Sequence, residues 1–144
     1  MNIAIVSGGF DPIHIGHIEL MERAKNLAGY LIVIVNDHDF LIRKKGKAFM
    51  PFKERIKIVE SLKYVDMAIK SIDKDQTVCE TLKKLASFRT LINNQTYEKL
   101  LFCNGGDRVS GENTPEHELC LELGIEPVYG LGDKIQSSSW LINK

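Results

Sequence analysis

The sequence predicts an α/β fold, a three-layer αβα sandwich with a mainly parallel, five-stranded sheet between its helices. Short apolar runs rich in branched residues alternate with segments of helical period, a pattern typical of parallel strands joined by helices. Glycine-rich or polar stretches follow most of these runs. No linker, repeat or low-complexity tract interrupts the 144 residues, so we expect a single domain over residues 1–144.

Local signals predict the individual elements. The strands are expected at 2–6, 31–35, 67–72, 100–103 and 126–129. Helices are expected over 17–27 with Gly29 as the stop, from Pro51 as a first-turn proline, over 77–86, and from 113 to a stop at Gly124. The polar segment 36–47 receives no element, and 87–98 has no firm period. Because crossover connections are right-handed, we expect a Rossmann-like sheet with strand order 3-2-1-4-5.

The charge balance and apolar content of the chain indicate which kinds of partner it would bind. Lysine plus arginine and aspartate plus glutamate are balanced at 19 each, so no net field would attract nucleic acid or an acidic membrane. The longest apolar run, 30–35, is far shorter than the roughly 20 residues that span a bilayer, and no secretion signal is visible. We therefore expect a cytoplasmic protein that acts on small molecules. Cys79, Cys103 and Cys120 are expected to be reduced packing residues.

The strongest functional signal is the stretch from Gly8 to His17. A glycine turn between a strand and a helix presents unpaired N–H groups and a positive helix end, which suit a phosphate. His14 and His17 could donate to that phosphate as its charge grows during reaction. A metal-binding pair or solvated surface histidines are the alternatives, although a structural zinc would need further ligands nearby. The stretches after four of the strands would open on the same sheet edge: 8–17, 36–47, 104–108 and 130–139.

The motif from Gly9 to His17 resembles the HxGH signature of the nucleotidyltransferase superfamily, and in particular its cytidylyltransferase-like family. Further similar segments extend along the chain: 22–25, 30–35, 54–55 and 64–66. The turn 104–107 is similar to the Gly-Gly-Asp turn of heptose-phosphate adenylyltransferases. The segment 134–139 is similar to the serine/threonine-rich motif that grips the outer phosphates of the nucleotide.

The resemblance implies roles for individual residues. His14 and His17 would contact the α-phosphate and stabilise its transition state, and Lys44 would be the catalytic cation on a flexible basic segment. Lys47 and Arg55 would bind the acceptor. Nucleotide contacts are implied for Gly8, Gly9, Phe10, Asp11, Gly16, Gly106, Asp107, Arg108, Lys134, Gln136, Ser137, Ser138 and Ser139. Mg²⁺ would accompany CTP or ATP, held by phosphate oxygens rather than by a protein cage, and a homodimer is expected.

The implied reaction transfers CMP, or AMP, from CTP or ATP to a small phosphorylated acceptor such as a polyol or sugar phosphate, and releases pyrophosphate. One alternative is an adenylyltransferase of the heptose-phosphate or FAD synthase type. A non-catalytic nucleotide-binding regulatory module is an alternative from another class. An NAD-linked dehydrogenase is disfavoured because Gly-x-Gly-x-x-Gly is absent after the first strand.

The chain departs from the family pattern in several places. Gly132 to Lys134 stands where the small cytidylyltransferases carry an arginine before the serine/threonine motif. Lys63 stands where those enzymes often have arginine, and a lysine cannot form a bidentate fork. Purely structural roles stay open as alternatives. The lysines near 44 could form a solvated loop, the serines could cap a helix, and Asp107 could form a turn.

Overall fold

A computed structural model describes residues 2–87, 99–105, 114–131 and 141–142 of the chain. The strands are β1 (Asn2–Gly8), β2 (Gly29–Val35), β3 (Met67–Lys70), β4 (Leu100–Cys103) and β5 (Glu126–Val128). The helices are α1 (Ile15–Ala28), α2 (His38–Lys45), α3 (Phe52–Glu60), α4 (Cys79–Ser87) and α5 (Pro115–Leu123).

The five strands form one sheet in the order β3-β2-β1-β4-β5, and every pairing is parallel. This confirms the expected α/β class and the strand order 3-2-1-4-5. The longest pairing joins β1 to β2, with Asn2 opposite Gly29 at one end and Gly8 opposite Val35 at the other. The central strand β1 therefore ends beside β2 at the sheet edge where ligands bind in folds of this class.

Two apolar cores, one on each face of the sheet, give the three layers. Along β1 the side chains alternate: Ile3 and Ile5 belong to the core that includes α4 and α5, whereas Ala4 and Val6 belong to the core that includes α1 and α3. All four are essentially buried. A strand that is buried on both faces has a nearly continuous apolar sequence, as β1 does. Each fully buried isoleucine contributes about 1.5–3 kcal/mol.

Most predicted element ends are close to the observed ones. Gly29 caps α1 with φ of 103°, a left-handed conformation that glycine adopts without strain. Thr114 caps α5, Pro115 is its first residue, and Gly124 ends it. Pro51 differs slightly from the prediction, because its ψ of 148° makes it the cap residue before α3 rather than the first helical residue.

The main difference from the predicted elements lies in 36–47, where the structure has the helix α2. Its side-chain cap is Asp37, which accepts from the N–H of Phe40, and Gly46 ends it with φ of 83°. Only Phe40 and Leu41 are buried, so the helix lacks a long apolar stripe. Beyond it, β3 ends at Lys70 rather than at 72, and α4 covers 79–87 rather than 77–86.

The three cysteines are free thiols. Burial raises the pKa of Cys103 and of Cys120 to about 12. Both therefore stay protonated and act as packing residues, as predicted. Cys79 is only partly buried. Among the described residues, no helix has the length and apolar character needed to cross a bilayer.

Candidate active site

The turn between β1 and α1 brings the motif residues together at the carboxyl end of the sheet. Phe10 is 3% exposed and adopts a positive φ of 53°. Its ring lies edge-on to His17, with centroids 4.9 Å apart. A Cβ on Gly8 would lie 2.9 Å from the Phe10 ring, so the absence of a side chain at Gly8 lets that ring pack beneath the turn.

His14 and His17 are held by backbone hydrogen bonds at the start of α1. His14 is the cap residue, and its Nδ1 accepts from the N–H of Gly16 at 3.1 Å. The N–H of His14 in turn donates to Nδ1 of His17 at 3.1 Å. The two rings stack with centroids 3.7 Å apart and planes 24° from parallel. This reciprocal arrangement resembles a capping box in which imidazoles replace the usual serine and glutamate.

These bonds determine the protonation of the pair. A ring nitrogen that accepts a hydrogen bond carries no proton, so each neutral imidazole holds its proton on Nε2. Burial lowers the pKa of His14. Burial, with smaller contributions from His14 and the Lys45 ammonium, lowers the pKa of His17 to about 3. At neutral pH the site therefore presents two uncharged Nε2–H donors.

The N-terminus of α1 adds a second anion-binding feature. The helix has fourteen residues and no acidic side chain in its first turn, so no carboxylate competes for its positive end. Gly16 lies in this turn and uses its N–H to hold His14. An anion at this end of the helix would meet the helix dipole and both Nε2–H groups.

Asp11 is 1% exposed and holds the segment that precedes α3. Its Oδ2 accepts from the N–H of Phe49 at 2.7 Å, and its Oδ1 accepts from the N–H of Met50 at 2.6 Å. Both carboxylate oxygens are therefore engaged by backbone. These two bonds give the Asp11 side chain a positioning role. Its contact with a nucleotide stays a prediction.

Arg55, which was predicted to bind the acceptor, is buried beneath the turn between β1 and α1, with 1% of its surface exposed. Its Nε donates to the carbonyl of Met50 at 3.1 Å, and its Nη1 donates to the carbonyls of Gly9 at 2.8 Å and Asn36 at 2.6 Å. Nη2 and the side-chain oxygen of Asn36 have no hydrogen-bond partner among the described residues. Burial lowers the pKa of Arg55, while Asp11 and Asp37 act in the opposite direction. Arg55 thus ties the ends of β1 and β2 to the start of α3.

The lysines of the basic segment occupy different surroundings. Lys44, the predicted catalytic cation, has its Nζ 5.7 Å from the centroid of the Phe40 ring. Lys45, to which the sequence assigned no role, has its Nζ 3.4 Å from the carbonyl oxygen of Asp11. Lys47 is exposed in the segment between α2 and α3. Sequence reasoning missed this contact of Lys45, since the orientation of Lys45 depends on an unpredicted helix.

The basic segment, to which the sequence assigned no element, contains the helix α2, and both ends of this helix are hydrogen-bonded to another part of the chain. Arg43 donates through Nη2 to the carbonyls of Asp73 at 3.1 Å and Asp75 at 3.0 Å. Gln76 donates to the carbonyl of Arg43 at 3.1 Å. At the other end, the N–H of Asp37 donates to the hydroxyl of Ser71 at 3.0 Å. These bonds fix α2 against the segment that follows β3.

The segments 22–25 and 64–66, both similar to the family, contact each other. The hydroxyl of Tyr64 donates to Glu22 at 2.6 Å, and Lys25 pairs with Asp66 at 2.6 Å. Asp66 also accepts from the N–H of Leu31 at 2.8 Å. These bonds therefore join α1 and β2 to the chain before β3. Tyr64 also packs against the core that includes α1 and α3.

The turn after β4 lies against α1 and the chain after β5. The N–H of Asn104 donates to the carbonyl of Val128 at 2.8 Å, and Leu131 donates to the carbonyl of Asn104 at 3.1 Å. A Cβ on Gly105 would lie 3.1 Å from Leu20 of α1. The remaining predicted nucleotide contacts lie outside the described residues: Gly106, Asp107, Arg108, Lys134, Gln136, Ser137, Ser138 and Ser139.

The fold and the paired histidines define an α/β protein with a candidate anion-binding site at the N-terminus of α1. A family model described as Cytidylyltransferase-like matches residues 5–119, and the chain belongs to that family.

Similar proteins include two kinds of enzyme. The chain is 42% identical over 69 residues to a glycerol-3-phosphate cytidylyltransferase of Bacillus subtilis (strain 168), which covers 48% of this chain and 54% of that protein. It is 41% identical over 75 residues to an FAD synthase of Ferroglobus placidus (strain DSM 10642 / AEDII12DO), which covers 52% of this chain and 49% of that protein. The chain therefore spans about half the length of the curated relatives it matches.

A solved structure supports the fold. The lipopolysaccharide core biosynthesis protein from Thermoplasma volcanium GSS1 superposes with a TM-score of 0.66, covering 92% of this chain and 98% of that one. The sequence identity is 24%, so the similarity concerns the fold alone.

Proposed function

We propose that the chain is a nucleotidyltransferase that moves CMP, or AMP, from CTP or ATP to the phosphate of a small acceptor and releases pyrophosphate. The observation that carries the proposal is the pair of uncharged, stacked imidazoles, His14 and His17, at the N-terminus of α1. Family membership and the similarity to a cytidylyltransferase and an FAD synthase support the same reaction class. A polyol or sugar phosphate is our first choice of acceptor.

In this mechanism an oxygen of the acceptor phosphate attacks the α-phosphorus of the nucleotide. The new P–O bond forms as the bond to the bridging oxygen of the β-phosphate breaks, and the electron pair leaves with pyrophosphate. Negative charge on the α-phosphate oxygens grows in the five-coordinate transition state. The Nε2–H groups of His14 and His17 donate to those oxygens. Because these donors are already in position, they stabilise the transition state more strongly than the ground state.

The histidines act as donors and not as acids or bases. With Nδ1 of each ring occupied by a backbone N–H, no relay carries a proton away through the ring. The acceptor phosphate is already an anion and needs no deprotonation. The protein therefore contributes positioning and electrostatic stabilisation, and no covalent enzyme intermediate is required.

Mg²⁺ forms part of the proposal as a companion of the triphosphate. Among the described residues, no group of three or more His, Cys, Asp or Glu side chains could hold a metal ion. Mg²⁺ usually keeps several waters and binds substrate phosphates, so it would enter with the nucleotide and neutralise phosphate charge. The predicted phosphate contacts of Ser137 to Ser139, a homodimer and a cytoplasmic location remain predictions.

Pyrophosphate release tests the proposal. We would supply CTP or ATP with Mg²⁺ and a panel of acceptors: glycerol 3-phosphate, a sugar 1-phosphate and FMN. Turnover with one pair is expected, and the acceptor that works separates the cytidylyltransferase reaction from the FAD synthase and sugar-phosphate alternatives. Triphosphate binding without turnover across the panel would instead favour the regulatory module.

Variants of the two histidines test the site. His14→Ala and His17→Ala should each lower kcat by about 10²-fold or more, because each removes a preorganised donor. His38→Ala is the matched control, since this imidazole is exposed at the start of α2. Circular dichroism and thermal unfolding would verify that each variant is folded. Near-normal kcat in both variants at the motif would reject the assignment.

A further inference from the structure

Exposed apolar side chains are concentrated at the carboxyl edge of the sheet. Among the described residues, seven large apolar side chains are exposed. Four of the seven lie on the segments that follow β1, β2 and β3: Ile15, Ile42, Phe49 and Ile72. Single exposed apolar residues are ordinary on protein surfaces, whereas their concentration beside a polar site indicates a binding surface.

Phe49 is the most exposed of these side chains, at 64%, and its backbone is fixed. Its N–H donates to Oδ2 of Asp11 at 2.7 Å, and the N–H of Met50 donates to Oδ1 at 2.6 Å. The carbonyl of Met50 accepts from Nε of Arg55 at 3.1 Å. Asp11 and Arg55 are both buried. Buried partners therefore hold the backbone at 49–50 from two sides, and the ring of Phe49 stays outside the core.

Two other phenylalanines of the same two segments serve the packing instead. Phe10, after β1, and Phe40, in α2, are each 3% exposed. The ring of Phe10 lies edge-on to His17, and Phe40 is on the buried face of α2. Phe49 stays exposed although its backbone is anchored between the same elements, so the face of its ring is open to a ligand.

Phe49 also lies on one particular side of the candidate site. Its anchor Asp11 belongs to the turn that carries His14 and His17, so the ring and the imidazoles border the same turn. In the sheet, β2 lies on one side of β1 and β4 on the other. The nucleotide contacts implied for 106–108 and 134–139 belong to the segments after β4 and β5, whereas Phe49 follows β2. A nucleotide on the β4 side leaves the β2 side, with Phe49, to the acceptor.

The surroundings of Phe49 combine an apolar ring with positive charge. Lys47, two residues earlier, is exposed, and none of the described ion pairs includes it. The carboxylate of Asp11 is engaged by backbone N–H groups. A ligand that fits this surface has a phosphate for the cation and a flat or apolar face for the ring. An open-chain polyol phosphate offers the first feature without the second.

We infer that a ring of the acceptor stacks on Phe49, so that the acceptor is a ring-bearing phosphate rather than an open-chain polyol phosphate. This inference rests on the proposed function and narrows its acceptor. A flavin would stack through its π-system, and a sugar ring would place C–H groups against the face of Phe49. No bond forms or breaks at Phe49. It is a specificity-determining residue, and the transfer at the α-phosphorus proceeds as described above.

Acceptor kinetics test the inference. With saturating nucleotide and Mg²⁺, kcat/KM should be at least about tenfold higher for FMN or a sugar 1-phosphate than for glycerol 3-phosphate, because only the first two have a ring to stack. Phe49→Ala should raise the KM for the ring-bearing acceptor about tenfold and leave kcat and the KM for the nucleotide within about twofold. FMN and the sugar phosphate are separate arms, so the active one identifies the source of the ring.

Two further variants sharpen this test. Phe49→Tyr keeps the ring and should retain the wild-type KM for the acceptor. Leu121→Ala on α5, where the side chain is 63% exposed, is the matched control for loss of an exposed apolar side chain and should change no kinetic constant. A preference for glycerol 3-phosphate, or an acceptor KM that is unchanged in Phe49→Ala, would overturn the inference.

Binding separates failure of this inference from failure of the proposed function. Each acceptor is titrated into the protein with Mg²⁺ and a nucleotide analogue that carries a methylene bridge between its α- and β-phosphates, so that no transfer occurs. Phe49→Ala should bind the ring-bearing phosphate about tenfold more weakly than the wild-type protein. If this difference is found but the natural nucleotides give no turnover, the proposed function fails and the ring site stands. Equal affinities would contradict the inference even in an active enzyme, as would a change of oligomeric state in Phe49→Ala without a change in acceptor binding.

Discussion

The segments that follow β1 and β2 are both part of the candidate site, but they are held in different ways. In the first, from Gly9 to His17, the two imidazoles are fixed by hydrogen bonds between residues no more than three apart. In the second, from Asn36 to Met50, the helix α2 is fixed by distant partners, chiefly through Arg43 and Arg55. The imidazole donors are thus positioned by local bonds, whereas α2 and its lysines are positioned by tertiary contacts.

Arg55 links the two segments, and its removal should have the largest effect. Arg55→Ala would leave the carbonyls of Gly9, Asn36 and Met50 without their donors in a buried place. We expect a loss of about 3–5 kcal/mol in the free energy of unfolding, the range for breaking a buried charged network. Urea denaturation measures this loss, and kcat should fall as well because both segments shift.

Arg55→Lys is the control for charge. It keeps a cation under the turn, but a single ammonium cannot reach the set of carbonyls that the guanidinium fork engages, so an intermediate loss is expected. If Arg55→Ala costs less than about 1 kcal/mol, the two segments are held by other contacts, and the comparison between them breaks down.

The same contrast explains what the sequence could predict. β1 and the end of α1 at Gly29 depend on local pattern and backbone geometry, and the structure confirms them. The start of α1 differs from the predicted residue 17, because the helix begins at Ile15 with His14 as its cap. The helix α2 escaped prediction because its apolar stripe is only two residues long, although its cap Asp37 and its stop Gly46 were readable signals.

Long-range contacts account for the rest of what was missed. The bonds of Arg55 to Gly9 and Asn36 span 46 and 19 residues, and no periodicity or spacing encodes them. The orientation of Lys45 depends on the bonds of Arg43 across about thirty residues. Convergence of the serines at 137–139 with the histidines lies outside the described residues and stays a prediction.

The local segment makes a prediction about pH. The pKa of His17 is about 3 in the folded protein, whereas an unfolded histidine has a pKa of about 6.5. As pH falls below 6.5 the unfolded state takes up a proton first, so this group lowers stability between pH 6.5 and 3 and has no effect above 6.5. At pH 5.5 the loss relative to pH 7.5 is at most about 1.4 kcal/mol.

His17→Gln isolates this contribution. The glutamine amide can accept from the N–H of His14 but does not titrate, so the wild-type and variant curves of unfolding free energy against pH should run parallel above pH 6.5 and converge below it. Urea denaturation at several pH values measures both curves. Parallel curves down to pH 5 would mean that His17 titrates normally in the folded protein, and the picture of two uncharged donors would be wrong.

The smallest effect is expected where the two segments touch. A Cβ at Gly9 would lie 2.8 Å from Cδ2 of Leu41, the movable end of a side chain in α2. Gly9 does not have a positive φ, so alanine fits its backbone and the lower entropy of the unfolded chain offsets part of the clash. We expect Gly9→Ala to change the free energy of unfolding by less than about 1 kcal/mol.

A double-mutant cycle sharpens this last prediction. Leu41→Ala removes the atom that a new Cβ would meet, so Gly9→Ala should be neutral or slightly stabilising in that background. Gly46→Ala is a useful comparison, since Gly46 has no atom within 4 Å of a new Cβ but a φ of 83°, and its cost arises from backbone strain alone. A coupling energy near zero between Gly9 and Leu41 would indicate that α2 does not rest on the turn. The orientation of Lys45 relative to the turn after β1 would then lose its support, because Leu41 is the residue of this helix face that approaches Gly9.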